Sequence, residues 1–324
     1  MNKAVTARAH TNIALIKYWG KANAELIIPQ NSSLSLTLEP FYTDTTVEFA
    51  PELTQDQIKI DGQLQTTMAG QRVRTFLDLV RQRVGRDDFA YVNSTNHVPT
   101  AAGLASSASG FAALAAAASK AAGLMLDRPA LSRLARRGSG SATRSIYGGF
   151  VEWQKGHNDA DSQAVPFQEH IDFDIQMIAI LLDPRPKKIA SRAGMAQVVA
   201  TSPYYPAWPA SAEKDLQAMK TAILKKDLNL IGQLAEANAM KMHATTLSAT
   251  PPFTYFEPET LQAIEIVQGL RNNGVSCYYT MDAGPNVKVI CSAQATPTIL
   301  AALRQHFAAD HLLVAQPGPG ISYL

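Results

Sequence analysis

The sequence predicts an α+β protein that is built from two units. Runs rich in β-branched and aromatic residues, such as 43–50 and 89–98, are interleaved with runs such as 70–85, in which apolar residues recur at helical spacing. The 324 residues are enough for two hydrophobic cores and short for three. Prolines, basic residues and a glycine interrupt the apolar pattern at 183–195, so we place the domain boundary after residue 184.

The first unit, residues 1–184, alternates strands and helices. β-Branched and aromatic runs predict strands at 43–50, 89–98, 148–154 and 174–183. Helical apolar spacing predicts helices at 70–85, from a serine-rich loop to about Gly123, and at 128–138, where a glycine ends the helix. We expect the strand DIQMIAILLD, at 174–183, to complete this unit.

The second unit, residues 185–324, begins with helices and ends with strands. The same patterns predict helices at 211–227, 228–247, 258–274 and 297–307. They predict strands at 275–284, 285–292 and 311–318. No internal repeat of fixed period appears.

Composition excludes several classes of protein. With 46% hydrophobic and 17% charged residues, the chain has the composition of an ordinary globular protein, and a net charge of +2 is too small for a nucleic-acid binder. The N-terminus carries no long apolar run, so we predict neither a signal peptide nor a membrane span. The two cysteines, Cys277 and Cys291, stand in strand-like apolar runs and give neither a disulfide framework nor metal-ligand spacing. We therefore expect a reduced, cytoplasmic protein with two buried thiols and no protein-built metal site.

A stretch of small residues and hydroxyls, PTAAGLASSASGF at 99–111, leads into an alanine-rich helix. Such a loop at a helix N-terminus presents unpaired backbone N–H groups and the positive end of the helix dipole to an anion. Gly103 and Ala105 leave room for phosphate oxygens, while Ser106 and Ser107 add hydroxyl groups. The alternative is that the serines cap a helix whose small residues allow close packing.

Three charged residues stand in contexts that favour function. Asp282 follows an apolar strand and precedes Ala-Gly-Pro, so it could be a base at a cleft or an Asx-turn residue. Lys17 ends the apolar run IALIK, where a charge needs a partner, although with Lys21 it could instead form a solvated helix face. Arg144 lies among glycines and serines at 138–149, which indicates either a carboxylate or phosphate fork or a flexible connection.

The serine-rich stretch resembles the Pro-x-x-x-Gly-Leu-x-Ser-Ser-Ala motif of the GHMP kinase superfamily. Three further segments, TNIALIKYWGKANAELIIPQNSSLSLTL at 11–38, SGSATRSIYGGFVEW at 139–153 and YYTMDAGPN at 278–286, resemble those of the diphosphomevalonate decarboxylases within it. Thr143 departs from the family, which usually has cysteine there, but the flanking Ser141 and Arg144 match. The chain also lacks the glycine-rich third motif of many GHMP kinases, which favours the decarboxylase branch.

The resemblance implies the GHMP kinase fold, with a ribosomal-protein-S5-like N-terminal domain, a ferredoxin-like C-terminal domain and an active site in the cleft between them. It implies ATP-dependent decarboxylation of (R)-5-diphosphomevalonate to isopentenyl diphosphate, with ATP and Mg²⁺ as cofactors. We also expect a homodimer. The alternatives are a small-molecule kinase that stops at the phosphorylated product and a non-catalytic, metabolite-binding relative.

The resemblance also assigns roles to residues of this chain. Five are implied in catalysis, with Lys17 orienting Asp282 and with Asn12, Ser141 and Arg144 holding the substrate. The residues implied in substrate binding are Tyr18, Trp19, Gly20, Lys21, Arg74, Ser139, Gly140, Ser141, Ala142, Thr143, Arg144, Ser191 and Arg192. The residues implied in nucleotide binding are Ser94, Asn96, Gly103, Leu104, Ala105, Ser106, Ser107 and Lys187. Positive charge on the segment 183–195 predicts a lid loop or a charged interdomain linker.

Overall fold

A computed structural model describes residues 3–97, 106–182 and 189–324 of the chain. The strands, in chain order, are β1 Val5–Ile16, β2 Lys21–Asn23, β3 Ile28–Pro29, β4 Ser33–Ala50, β5 Gln57–Ile60, β6 Gln63–Leu64, β7 Phe89–Asn96, β8 Phe150–Gln154, β9 Gln163–Gln168, β10 Gln176–Ile180, β11 Cys277–Met281, β12 Val287–Cys291, β13 Leu312–Ala315 and β14 Ser322–Tyr323. The helices are α1 Met68–Val84, α2 Ser106–Ala121, α3 Arg128–Gly138, α4 Ser191–Thr201, α5 Trp208–Leu224, α6 Leu228–Leu247, α7 Pro258–Asn272 and α8 Thr296–Leu303, with 3-10 helices at Gly140–Ile146, Tyr205–Ala207 and Ala309–His311.

The first sheet is built around two long strands, β1 and β4. Its order is β14-β1-β4-β7-β5-β6, and β8 pairs with the beginning of β4 and with β9. The alanine-rich helix α2 packs on β1 and β4, and its alanines between positions 112 and 118 are fully buried. Since alanine carries only a methyl group, the helix can approach the sheet closely, which explains the composition of this stretch.

The second sheet has the antiparallel order β11-β12-β10-β13. Helices α7 and α8 pack on one of its faces, and α5 and α6 lie between its other face and the first sheet. One hydrophobic cluster contains Ile13 and Leu36 from the first sheet together with Met177 and Ile290 from the second. This shared core, which includes residues of α5 and α6, holds the two sheets together.

The α+β class is confirmed, but one strand was assigned to the wrong unit. The stretch DIQMIAILLD does form a strand, β10, yet it pairs with β12 and β13 instead of completing the first sheet. The chain then returns to the first sheet at its end, where β14 pairs with β1. The boundary after residue 184 stays a prediction. Strands on each side of that point pair with strands on the other side, so the two sheets do not divide there.

Two segments that we expected to be loops are helical. Residues Gly140–Ile146 form a buried 3-10 helix, and Ser191–Thr201 form helix α4. A Cβ on Gly194 would lie 2.6 Å from the hydroxyl oxygen of Tyr255, so the missing side chain lets α4 pack on that ring. Tertiary packing here overrides a local pattern of glycine and charge. In the described part of the chain no helix combines the length and apolar character needed to cross a membrane.

Both cysteines are buried, as expected for small apolar core residues. Cys277 and Cys291 face each other across the β11–β12 pair. Burial raises the pKa of each thiol to about 11, so neither is a thiolate near neutral pH.

Candidate functional site

The segment that follows β1 is held by hydrogen bonds to its main chain. The backbone N–H of Lys17 donates to the Asn238 side-chain oxygen at 2.8 Å. The carbonyl of Trp19 accepts from Tyr205 Oη and Trp208 Nε1, both at 3.0 Å. Gly20 has φ +100°, and a Cβ on it would lie 1.7 Å from Tyr205 Oη, so only glycine fits. This segment therefore projects Lys17 and its neighbours in a fixed geometry.

Lys17 meets a carboxylate from the second sheet. Its ammonium donates to Asp282 Oδ1 at 2.9 Å and to the Ala14 carbonyl at 2.7 Å, and only 2% of the residue is exposed. Lys288 Nζ lies 3.5 Å from Asp282 Oδ2. Burial lowers the pKa of Lys17, and the negative charge of Asp282 opposes that shift. We call Lys17, Asp282 and Lys288 the mixed-charge cluster.

The pairing of Lys17 with Asp282 is the contact implied by the resemblance. Lys288 is not among the residues predicted from the sequence. The segment VKVIC nevertheless carries the signal, because a lysine inside an apolar strand needs a partner as much as Lys17 does. Asp282 itself is half-buried, with 26% of its side chain exposed, so part of it remains accessible to a ligand.

Arg144 is fixed beside this cluster by a polar network. Its guanidinium donates to Ser33 Oγ at 2.6 Å and to Asn12 Oδ1 at 3.2 Å. Asn12 in turn donates to the Ser141 carbonyl at 3.0 Å and to Ser145 Oγ at 2.8 Å. Burial lowers the pKa of Arg144 to about 10, and Asp282 opposes that shift, so the guanidinium remains charged near neutral pH. Asn12, Ser141 and Arg144 are thus brought together as predicted, while Ser33 and Ser145 were not foreseen.

Three more cations, Lys21, Arg72 and Arg192, lie close enough to act on one another. Arg72 Nη2 and Arg192 Nη2 donate to the Gly138 carbonyl at 3.2 Å and 3.1 Å. Burial lowers the pKa of Lys21, and the positive charges of Arg192 and Arg72 lower it further. Burial also lowers the pKa of Arg72, and the positive charge of Arg192 adds to that shift. No acidic side chain of the described residues pairs with Lys21, Arg72 or Arg192. We call these three residues the cationic cluster.

Arg72 in this cluster was not predicted, whereas Arg74 was. Both residues lie on α1, but two positions apart on a helix point in different directions. Arg74 donates to the Gln65 carbonyl at 3.4 Å, away from the cluster, while the Arg72 guanidinium also packs over the Phe111 ring. A substrate role for Arg74 stays a prediction.

Tyr18 lies between the two clusters. Its ring packs against Trp153 with centroids 4.7 Å apart, and its buried hydroxyl has no hydrogen-bond partner in the described residues. Burial raises the pKa of Tyr18, while the charges of Arg192 and Arg144 lower it. A Cβ on Gly140 would lie 2.8 Å from the Tyr18 ring, which explains the glycine there. An unpartnered hydroxyl flanked by two guanidinium groups suits an anionic ligand.

Serine hydroxyls join this region to the start of α2. Ser139 Oγ lies 3.3 Å from both Ser107 Oγ and Ser141 Oγ. Ser106 is the first residue of α2 and is exposed. The predicted nucleotide-binding residues Gly103, Leu104, Ala105 and Lys187 lie outside the described residues.

The remaining predicted residues lie in ordinary structural surroundings. Ser94 and Asn96 are on β7, where Ser94 Oγ is 2.9 Å from Thr45 Oγ1 and Asn96 Nδ2 donates to Asp61 at 3.0 Å. Ala142 and Thr143 are fully buried in the 3-10 helix, and Ser191 begins α4. Thr143 Oγ1 has no hydrogen-bond partner in the described residues. This suits the position, because the family that the sequence resembles usually has a cysteine there.

Within residues 3–97, 106–182 and 189–324 there is no group of three histidine, cysteine, aspartate or glutamate side chains able to hold a metal ion. Oxygen atoms of the hydroxyl-rich start of α2 and of Asp282 do suit Mg²⁺ that arrives with a nucleotide, because this ion is held mainly by phosphates and water.

Two protein-domain family models match the chain. The diphosphomevalonate decarboxylase-like N-terminal domain matches residues 9–164, and the mevalonate 5-diphosphate decarboxylase C-terminal domain matches residues 177–316. A diphosphomevalonate decarboxylase of Candida albicans is 34% identical, over 98% of this chain and 94% of that protein. A phosphomevalonate decarboxylase of Haloferax volcanii is 33% identical, over 88% of this chain and 87% of that protein.

Solved structures match at high similarity. A mevalonate diphosphate decarboxylase from Enterococcus faecalis, described for ATP binding mediated by mevalonate diphosphate, is 50% identical with a TM-score of 0.94, covering 99% of this chain and 98% of that chain. A structure named MDDEF, in complex with MVAPP, AMPPCP and magnesium, is also 50% identical, with a TM-score of 0.95 and the same coverage.

Proposed function

Since this chain belongs to the diphosphomevalonate decarboxylase family, we propose that it uses ATP to convert (R)-5-diphosphomevalonate to isopentenyl diphosphate, ADP, phosphate and CO₂. Its fold is the GHMP kinase fold, as the resemblance implied. The observation that carries the proposal has two parts, joined by Tyr18 between them. One is a carboxylate paired with a buried lysine, and the other is a cluster of cations that no carboxylate of the described residues accompanies.

The cationic cluster is suited to the diphosphate of the substrate. Lys21, Arg72 and Arg192 repel one another in the ligand-free protein, and an anion carrying several charges relieves that repulsion. The unpartnered hydroxyl of Tyr18 supplies one more hydrogen-bond donor beside them. Three cations match a diphosphate better than a monophosphate, which favours the diphosphorylated substrate.

Arg144 and its network are suited to the substrate carboxylate. The planar guanidinium offers paired donors, and Asn12, Ser33 and Ser141 keep it in one orientation. A carboxylate held there would lie beside Asp282, because Asp282 and Arg144 act on each other electrostatically.

The reaction then begins at Asp282. The 3-hydroxyl oxygen of the substrate attacks the γ-phosphorus of ATP, ADP leaves, and the hydroxyl proton passes to or is oriented by Asp282. This transfer forms a new O–P bond. The C3–O bond of the substrate then breaks, phosphate departs with that electron pair, and C3 gains positive character. The bond to the carboxylate breaks next, its electrons form the double bond, and CO₂ leaves. Lys17 keeps Asp282 ionised and aimed throughout.

The start of α2 is suited to the ATP phosphates. Ser106 and Ser107 lie at the N-terminal end of a 16-residue helix, where the dipole favours negative charge. When bound with ATP, Mg²⁺ neutralises phosphate charge during the transfer. Nucleotide contacts of Ser94, Asn96, Lys187 and the loop from Gly103 to Ala105 remain proposals, as do a homodimer and a cytoplasmic location.

A product assay tests this function. Purified protein is incubated with ATP, Mg²⁺ and mevalonate 5-diphosphate, and ADP and CO₂ are measured together. We expect equal amounts of both. ADP without CO₂ would make the protein a kinase, and neither product would contradict both enzyme proposals. A parallel assay with mevalonate 5-phosphate should give far lower kcat/KM; the reverse preference would move the protein toward the phosphomevalonate decarboxylases.

A further inference from the structure

Lys288 is a buried cation on the opposite side of Asp282 from Lys17. It lies on β12, where Val287, Val289 and Cys291 face the core under α7 and α8, so Lys288 points to the other face, the face on which Ile290 packs toward the first sheet. Only 1% of the residue is exposed, and its ammonium donates to the Asn286 carbonyl at 3.3 Å. Burying an ammonium group is costly unless a carboxylate compensates it. The Lys288 ammonium lies 3.5 Å from Asp282 Oδ2, which supplies that compensation and links Lys288 to the catalytic carboxylate.

We propose that Lys288 is a positioning residue for Asp282 in the decarboxylation reaction; the inference rests on the function proposed above. The torsion that turns an aspartate carboxylate is soft and roughly two-fold, so a cation on each oxygen holds the carboxylate plane better than a cation on one oxygen alone. Lys17 holds Oδ1 and Lys288 attracts Oδ2. The two cations together fix which edge of the carboxylate faces the substrate hydroxyl, and they favour its ionised form.

The buried histidine behind the cluster stays neutral and adds no charge. Burial lowers the pKa of His243 to about 3, and the positive charge of Lys17 lowers it in the same direction. Neither ring nitrogen has a hydrogen-bond partner in the described residues. The titratable or charged groups that act on Asp282 from the described elements are therefore Lys17 after β1, Lys288 on β12, Arg144 on the 3-10 helix and neutral His243 on α6.

The test replaces the ammonium with a methyl thioether in Lys288→Met. We expect kcat to fall about tenfold or more, with KM for both substrates within about threefold of the parent, since a less precisely oriented carboxylate handles the hydroxyl proton less well. The acid limb of the pH profile should move to higher pH, because the carboxylate loses a neighbouring positive charge. The matched control is Lys220→Met, which removes another partly buried ion pair, with Glu152 at 2.6 Å, and should change neither kcat nor the acid limb.

A second measurement shows whether Lys288 acts through Asp282. In an Asp282→Asn background, Lys288→Met should reduce the residual kcat little further. An equal loss in both backgrounds would overturn the inference, as would a folded Lys288→Met enzyme with the parent's kcat and acid limb. If the methionine variant does not fold, Lys288→Arg decides: an unchanged acid limb supports the inference and a shifted limb overturns it.

The failure of this inference differs from a failure of the proposed function. A parent enzyme that releases no CO₂ contradicts the function, whatever Lys288 does. The pair can still be examined by thermal unfolding of the two single variants and the double variant. The shifts in Tm should depart from additivity by about 3 °C or more, and additive shifts would overturn the pairing of Lys288 with Asp282.

Discussion

The two charged clusters of the cleft differ in whether a carboxylate accompanies the cations. In the mixed-charge cluster, Asp282 lies between Lys17 and Lys288, so a carboxylate offsets part of the positive charge before any ligand arrives. In the cationic cluster, the pKa of Lys21 is lowered by burial and by the neighbouring guanidinium groups. The first arrangement is preorganised for chemistry on a bound substrate. The second stores repulsion that an anionic ligand relieves, which makes it a binding site.

Asp282→Asn should have the largest effect on turnover. The amide keeps the shape of the side chain but removes the charge that handles the hydroxyl proton, so kcat should fall at least about a hundredfold. KM for mevalonate 5-diphosphate should change little, because the cationic cluster is intact. The measurement is steady-state kinetics, with Asp310→Asn, an exposed carboxylate, as the control. A fully active asparagine variant would show that the catalytic carboxylate is elsewhere.

His243→Phe should alter how stability depends on pH. The pKa of His243 is lowered to about 3 from an ordinary value near 6.5, so between these values the unfolded chain binds a proton that the folded protein does not. Stability contributed by the neutral ring is therefore complete above about pH 6.5 and is lost as pH falls. Each pH unit in that range corresponds to about 1.4 kcal/mol.

Denaturant unfolding of parent and His243→Phe at pH 7 and pH 5 measures this effect. The parent should lose about 2 kcal/mol more than the variant over that interval. His311→Gln, at an exposed histidine, is the control and should follow the parent. Equal losses in parent and phenylalanine variant would mean that His243 takes up its proton in the folded protein.

Lys21→Met should have the smallest effect, a slight increase in the stability of the ligand-free protein. Removing one of three repelling cations should stabilise the ligand-free protein, by less than about 1 kcal/mol because the side chain is only half-buried and salt screens it. The same variant should bind mevalonate 5-diphosphate more weakly. Thermal unfolding with and without ligand measures both effects. A ligand-free variant that is less stable than the parent would contradict the stored repulsion.

Much of the fold could be predicted because local patterns agree with the final structure. The alanine-rich helix, the helix at 128–138 and the strands at 277–281 and 287–291 all carry the spacing of their elements. The sheet to which β10 belongs could not be predicted from its own residues. A run of apolar residues indicates a buried strand, but it does not indicate which strands pair with it. Helix α4 was missed because its packing on Tyr255 comes from distant residues.

The site was predictable where a resemblance linked distant segments. Lys17 and Asp282 are 265 positions apart, and nothing in either segment alone identifies the other as its partner. Arg72 and Arg74 show what local sequence cannot give. The helix that carries them is predicted correctly, but which arginine joins the cationic cluster depends on contacts with the distant Gly138, which also binds Arg192. Lys288 needed only the rule that a charge in an apolar strand must be compensated.

Equilibrium binding of mevalonate 5-diphosphate without ATP tests the division of labour most directly. Isothermal titration compares the parent with Asp282→Asn, which alters the mixed-charge cluster, and with Arg192→Gln, which alters the cationic cluster. We predict that Asp282→Asn binds with the parent's affinity and that Arg192→Gln binds about tenfold or more weakly, the loss expected for a charge-assisted hydrogen bond. Loss of binding in Asp282→Asn with full affinity in Arg192→Gln would contradict the account.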